Sequence, residues 1–143
     1  MRKIKFRGKT KYGKWAYGYL TERENGLCID RNYVEDERNN EDPDSDVYGC
    51  PYVIPETVGQ FTGMYDSNGK EIYEGDIVSW LFFHGSLEVG KVEYKREEAQ
   101  FRIVNRFTTM DNRENTTTIQ NKRNLTVRGN IHDNPELLKG GEQ

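Results

Sequence analysis

Apolar side chains in this chain recur at every second position, over four to eight residues at a time, between clusters of Gly, Asn and Asp, and hardly anywhere at helical spacing. A period of two puts neighbouring residues on opposite faces, so the pattern commits the chain to half-buried strands. In Lys3 to Arg7, Ile4 and Phe6 are expected to point inward, leaving Lys3, Lys5 and Arg7 as a cationic outer face. Trp15, Tyr17 and Tyr19 share one face of a second strand. Asn25-Gly26 then allows two closures onto Leu27 to Ile29: a two-residue turn, which sets Glu22 opposite Ile29, and a longer loop.

Further along, a two-residue turn at Asn68-Gly69 would oppose Asp66 and Glu71, whereas a loop of Ser67, Asn68 and Gly69 opposes Asp66 and Lys70. The second places Asp at the start of a type I turn and Gly at its left-handed position, and is the one expected. Ile77 to Phe83 and Leu87 to Tyr94 read as a hairpin around His84-Gly85-Ser86, with Leu87 and Val89 inward. Phe101 to Phe107, Thr116 to Gln120 and Leu125 to Ile131 supply the last strands. At the end, Asn134 suits a helix cap, Pro135 a first helical position and Glu136 the positive end of the dipole, so one short helical turn is expected. The acidic run Glu35 to Asp46 holds no apolar residue and reads as a long surface loop.

With 143 residues the chain matches one ordinary domain, expected as an N-terminal β part to about residue 58 and a barrel-like meander over about 59–138. Nine Tyr, six Phe and two Trp provide core bulk although charged residues make up 31%. The longest apolar run, Trp80 to Phe83, is far shorter than the roughly 18 residues of a spanning helix, and Met1 leads into a charged segment, so no membrane anchor or signal peptide is expected. Cys28 and Cys50 are too few for a disulfide framework, which places them as reduced thiols in a cytoplasm. A net charge of −3 argues against a uniformly basic nucleic-acid binder and allows local patches.

The motifs that carry chemistry are weak. Gly85 to Val92 has the glycine and lysine spacing of a phosphate loop, but Val92 lacks the required hydroxyl and no helix follows. Cys28, Cys50, His84 and His132 share no short ligand spacing, so no metal and no cofactor is expected. Neither Ser86 nor the cysteines sit in a nucleophile elbow. Glu74 and Asp76 fall in a turn, where Asp76 is expected to accept backbone amides instead of moving protons. No catalytic residue emerges, and the chain reads as a non-enzyme. An ordered metal, or a deep pocket lined by Glu74, Asp76 and His84, would reopen a distant third reading, a metal-assisted enzyme.

The constellation that stands out is Lys3, Lys5 and Arg7 near Trp15, Tyr17 and Tyr19. Small β-barrels hold single-stranded nucleic acid on such faces, the cations meeting phosphates and the rings stacking on bases. The opposing reading has the three aromatics facing the core while the lysines keep a strand from pairing with other chains.

Four separated stretches carry a resemblance: Met1 to Arg7, Thr57 to Gly63, Asp66 to Val78 with its NGKEIYEGDIV core, and Gly129 to Leu138. In this order, across nearly the whole chain, they resemble the YopX family of small phage and prophage proteins. The resemblance implies an all-β pseudo-barrel of short antiparallel strands, a bacterial host cytoplasm and no established activity, so no site residue is carried over. The expected function is a non-catalytic accessory protein that binds a host or phage protein, with exposed strand edges also open to a second copy of the chain. Nucleic-acid binding through Lys3, Lys5, Arg7, Trp15, Tyr17 and Tyr19 is the alternative.

Overall fold

The alternation resolves into pairing. A computed structural model describes residues 1–31, 36–40, 49–82, 84–108 and 114–139. Among these residues the strands are β1 (Phe6–Lys9), β2 (Trp15–Arg23), β3 (Gly26–Asp30), β4 (Gly59–Tyr65), β5 (Glu71–Tyr73), β6 (Asp76–Leu81), β7 (Leu87–Lys95), β8 (Gln100–Thr108), β9 (Glu114–Thr117) and β10 (Arg123–Asn130). The helical content described is three 3-10 turns, Glu37–Asn40, Pro55–Thr57 and Pro135–Leu138. The chain is all-β, and it divides into two compact units, Met1–Phe61 and Thr62–Gln143.

In the first unit β2 lies between β1 and β3, all antiparallel. The β2–β3 turn sits one residue earlier than Asn25-Gly26: Arg23 pairs with Gly26 and Glu22 with Leu27, so Glu24 and Asn25 make the bend. That register sets Leu20 opposite Ile29 on the face where Ala16, Ile29 and Val53 form the core, with Phe6, Leu20, Leu27 and Val58 against it. Residues 49–53 return along the far side of β3, where Ile29 N–H donates to Pro51 and Val53 N–H to Leu27 at 3.1 and 3.0 Å. Ile54 N–H then reaches the Lys9 carbonyl of β1 at 2.7 Å. This return is made by single bonds and one isolated bridge, Cys28 with Tyr52, and not by a strand ladder. The meander expected over about 59–138 forms an open sheet of order β10-β6-β7-β8-β9 and not a closed barrel.

Phe6 faces the core as expected, but Ile4 does not, and the opposite, cationic side of the strand is covered instead of wet. Ile4 is 47% exposed, while Lys5 and Arg7 are 2% and 6% exposed. The strand begins at Phe6 instead of Lys3, and its small inner residue Gly8 is where Val53 presses in: a Cβ there would meet the Val53 side chain at 2.8 Å. Part of the acidic run is also built into the fold. Glu37–Asn40 forms a 3-10 turn in which Asn39 is buried, because side-chain hydrogen bonds replace the apolar contacts this run lacks. Residue 35 and residues 41–46 of the expected loop lie outside the described residues.

In the second unit a sheet of order β10-β6-β7-β8-β9 places β6 between two neighbours, which explains why Asp76 to Trp80 are all buried. Its core is Ile72, Val78, Trp80, Val92, Ile103, Ile119 and Leu125. The loop at Asn68-Gly69 has the expected form: Asp66 N–H donates to the Lys70 carbonyl at 2.8 Å and Gly69 takes a φ of 82°. The β6–β7 hairpin forms as expected, with Trp80 opposite Glu88, but Leu87 is 53% exposed and not inward. The former phosphate-loop candidate is strand β7, as its alternation indicates. Asn134 stands at the cap position of the last turn, yet its side chain turns back to accept the Asn130 N–H at 3.3 Å.

Candidate functional site

Pairing Arg7 with Tyr17 and Lys9 with Trp15 puts the cations of β1 and the aromatics of β2 on one face, as the sequence indicates. They serve each other there. The Arg7 guanidinium lies 4.9 Å from the Trp15 ring centroid, and Lys9 Nζ 5.9 Å from the same ring. Phe61, whose N–H donates to the Lys5 carbonyl, lies under Lys5 Nζ at 5.9 Å.

The turn at Glu37–Asn40 covers this face. Arg38 stacks 3.7 Å from the Tyr17 centroid, and Asp36 accepts from Lys5 Nζ at 3.2 Å and from Arg38 at 2.6 Å. Burial alone would push the Asp36 carboxyl up, but the Arg38 and Lys5 donors outweigh it and hold it at about 2. Asn39 sits where β3 leaves β2: its Oδ1 accepts the Tyr17 N–H and its Nδ2 donates to the Tyr17 carbonyl, both at 3.0 Å. Of the six residues proposed to meet nucleic acid, Lys5, Arg7 and Tyr17 are buried, Trp15 is half-buried, and Lys3 and Tyr19 remain exposed.

The open feature of this unit lies elsewhere. Thr10, Lys11 and Tyr12 from the β1–β2 turn and Pro51 to Pro55 from the returning segment line a groove of about 440 Å³. Its rim carries Tyr12, Tyr52 and Ile54, all exposed, and Lys11 Nζ lies 5.0 Å from the Tyr12 centroid. Sequence reasoning missed it because its halves are some forty residues apart. The available signal was Gly8, a glycine inside a strand, which marks the place where Val53 of the returning segment comes close.

Cys50 stands diagonally across from Cys28, which is bridged to Tyr52, and both cysteines are free. Burial, together with a hydrogen bond to Cys28, pushes the Cys50 thiol up to about 11. No cluster of three His, Cys, Asp or Glu able to hold a metal occurs among the described residues. Asp76 accepts the Tyr73 N–H at 2.7 Å, the backbone role its turn position indicates. No described helix is long and apolar enough to cross a membrane.

No curated protein matches the chain. Among solved structures, protein EF1440 from Enterococcus faecalis is similar at 22% identity and a TM-score of 0.48, over 96% of this chain and 99% of that one. The pattern of the YopX protein family matches residues 5–139, nearly the whole length, and the chain therefore belongs to the YopX family.

Proposed function

We propose that this protein is a non-catalytic phage or prophage accessory protein that works in a bacterial cytoplasm by binding another protein, and that the groove between Tyr12 and Tyr52 takes an extended segment of that partner. The groove carries the reading. Its exposed rings and prolines suit an extended apolar segment, since aromatic side chains give large contact area at low entropic cost. Lys11 in its wall, with the exposed Lys14 close by in sequence, favours a segment with acidic flanks.

Nucleic-acid binding on the first strands has less support, because two of its three cations are taken up inside the fold, Lys5 by Asp36 and Arg7 by the Trp15 ring. The test is affinity capture from phage-infected cells, with a photo-cross-linker at position 52 and with nuclease present or absent. A nuclease-resistant protein cross-linked at 52, and lost with Ile54→Asp or Lys11→Glu, is the expected result. Capture that disappears with nuclease would transfer the role to Lys3 and Tyr19. Cross-linking of the bait to itself alone would make the partner a second copy.

A further inference from the structure

A second concavity, of about 520 Å³, opens in the second unit between the end of β6, the first residues of β7 and the β9–β10 turn. Lys122 projects into it: Nζ donates to Thr117 Oγ1 at 2.7 Å and stands 5.9 Å over the ring of Trp80, which is itself buried. Lys122 is half-buried and has no carboxylate partner among the described residues. Glu88 lines the same space without pairing to it, and Arg123 lies exposed at the mouth. On β8, Asn105 also lines it, and its buried Oδ1 has no hydrogen-bond partner. Burial, reinforced by nearby Arg102, lowers the Lys122 pKa, the sign of a cation held without compensation.

Structures rarely keep a partly desolvated cation and a buried acceptor unmatched, because each costs free energy until a partner arrives. An anion on Lys122 and Arg123 would match the charge. The space far exceeds one phosphate group, and what remains is lined by Asn105, Thr116 and Glu88, which donate to and accept from hydroxyls, and closed by the apolar bodies of Trp80 and Phe82. We propose that this pocket binds a small sugar phosphate, its phosphoryl group on Lys122 and Arg123 and its hydroxyls on Asn105 and Glu88.

The test is a titration of the full chain with ribose 5-phosphate, followed through the Trp80 indole resonance, with ribose and inorganic phosphate as separate arms. A saturable shift with ribose 5-phosphate is expected, weakened about tenfold or more by Lys122→Met and by the exposed Arg123→Gln, since charge-assisted bonds to phosphate dominate such sites. Ribose alone should bind at least about tenfold more weakly, and inorganic phosphate should compete. No saturable shift up to about 10 mM, equal binding of ribose, or unchanged affinity in both variants would overturn the assignment.

Discussion

Asp36 shows how one side chain can decide whether a buried cation is tolerated. Its carboxyl is held at about 2 against an ordinary 3.8, so the unfolded chain takes up this proton first as the pH falls. The stabilisation from Asp36 is therefore complete above the unfolded value and is lost as the pH falls through the folded one. Urea midpoints measured between about pH 5 and pH 2 should fall for the native chain and fall less steeply for Asp36→Asn, which starts lower by about 1–3 kcal/mol. Cys50, pushed up to about 11, holds little thiolate at neutral pH, so its alkylation by iodoacetamide should be much slower than that of an exposed thiol of ordinary acidity and should quicken with alkali. Neither property was legible in the sequence, because folding decides both: Asp36 is held down first by Arg38, two residues away, and then by the distant Lys5, while Cys50 is raised by burial and by Cys28.

Turns were the most legible elements. Asp66 to Lys70 has the expected loop because Asp66 Oδ1 accepts the N–H groups of Asn68 and Lys70 at 2.8 and 2.9 Å, a local arrangement that residue identity alone encodes. What the sequence did not disclose is that Oδ2 also accepts from Val127 at 3.0 Å, joining this loop to β10. Asp66→Ala should accordingly cost about 2–4 kcal/mol in chemical denaturation, more than a turn residue alone would. Strand faces were less legible where both sides are covered. At the start of β1 the alternation of Lys5, just before the strand, with Phe6 and Arg7 implied one wet side, but Asp36 and Arg38 lie over that side and the usual polarity argument fails. Gly18 marks the same crowding on β2: a Cβ there would lie 2.1 Å from the Asp30 carbonyl oxygen. Gly18→Ala should force β2 and β3 apart and lose about 2–4 kcal/mol, read from the thermal midpoint.

For the molecule as a whole, the fold class followed from periodicity and the functional surface did not, because grooves are made by segments that meet only after folding. The basic N-terminus illustrates the difference. Lys3, Lys5 and Arg7 offered a cationic strand face for nucleic acid as the alternative reading, yet Lys5 and Arg7 serve as interior parts. Charge reversal at those two positions should unfold the first unit and so report nothing about ligands, whereas Lys3→Glu should leave the circular dichroism spectrum unchanged. Comparing the two by their melting curves separates a lost fold from a lost contact.

The Asn39 amide, which fills both hydrogen-bonding positions of Tyr17, makes the fold sensitive to chemical ageing. Spontaneous hydrolysis replaces its NH₂ group with an oxygen and turns the residue into Asp. The acceptor toward the Tyr17 N–H survives, but a negative oxygen now faces the Tyr17 carbonyl where a donor stood. Loss of that one side-chain carbon–nitrogen bond would therefore remove one of the two hydrogen bonds that fasten the Glu37–Asn40 turn to β2.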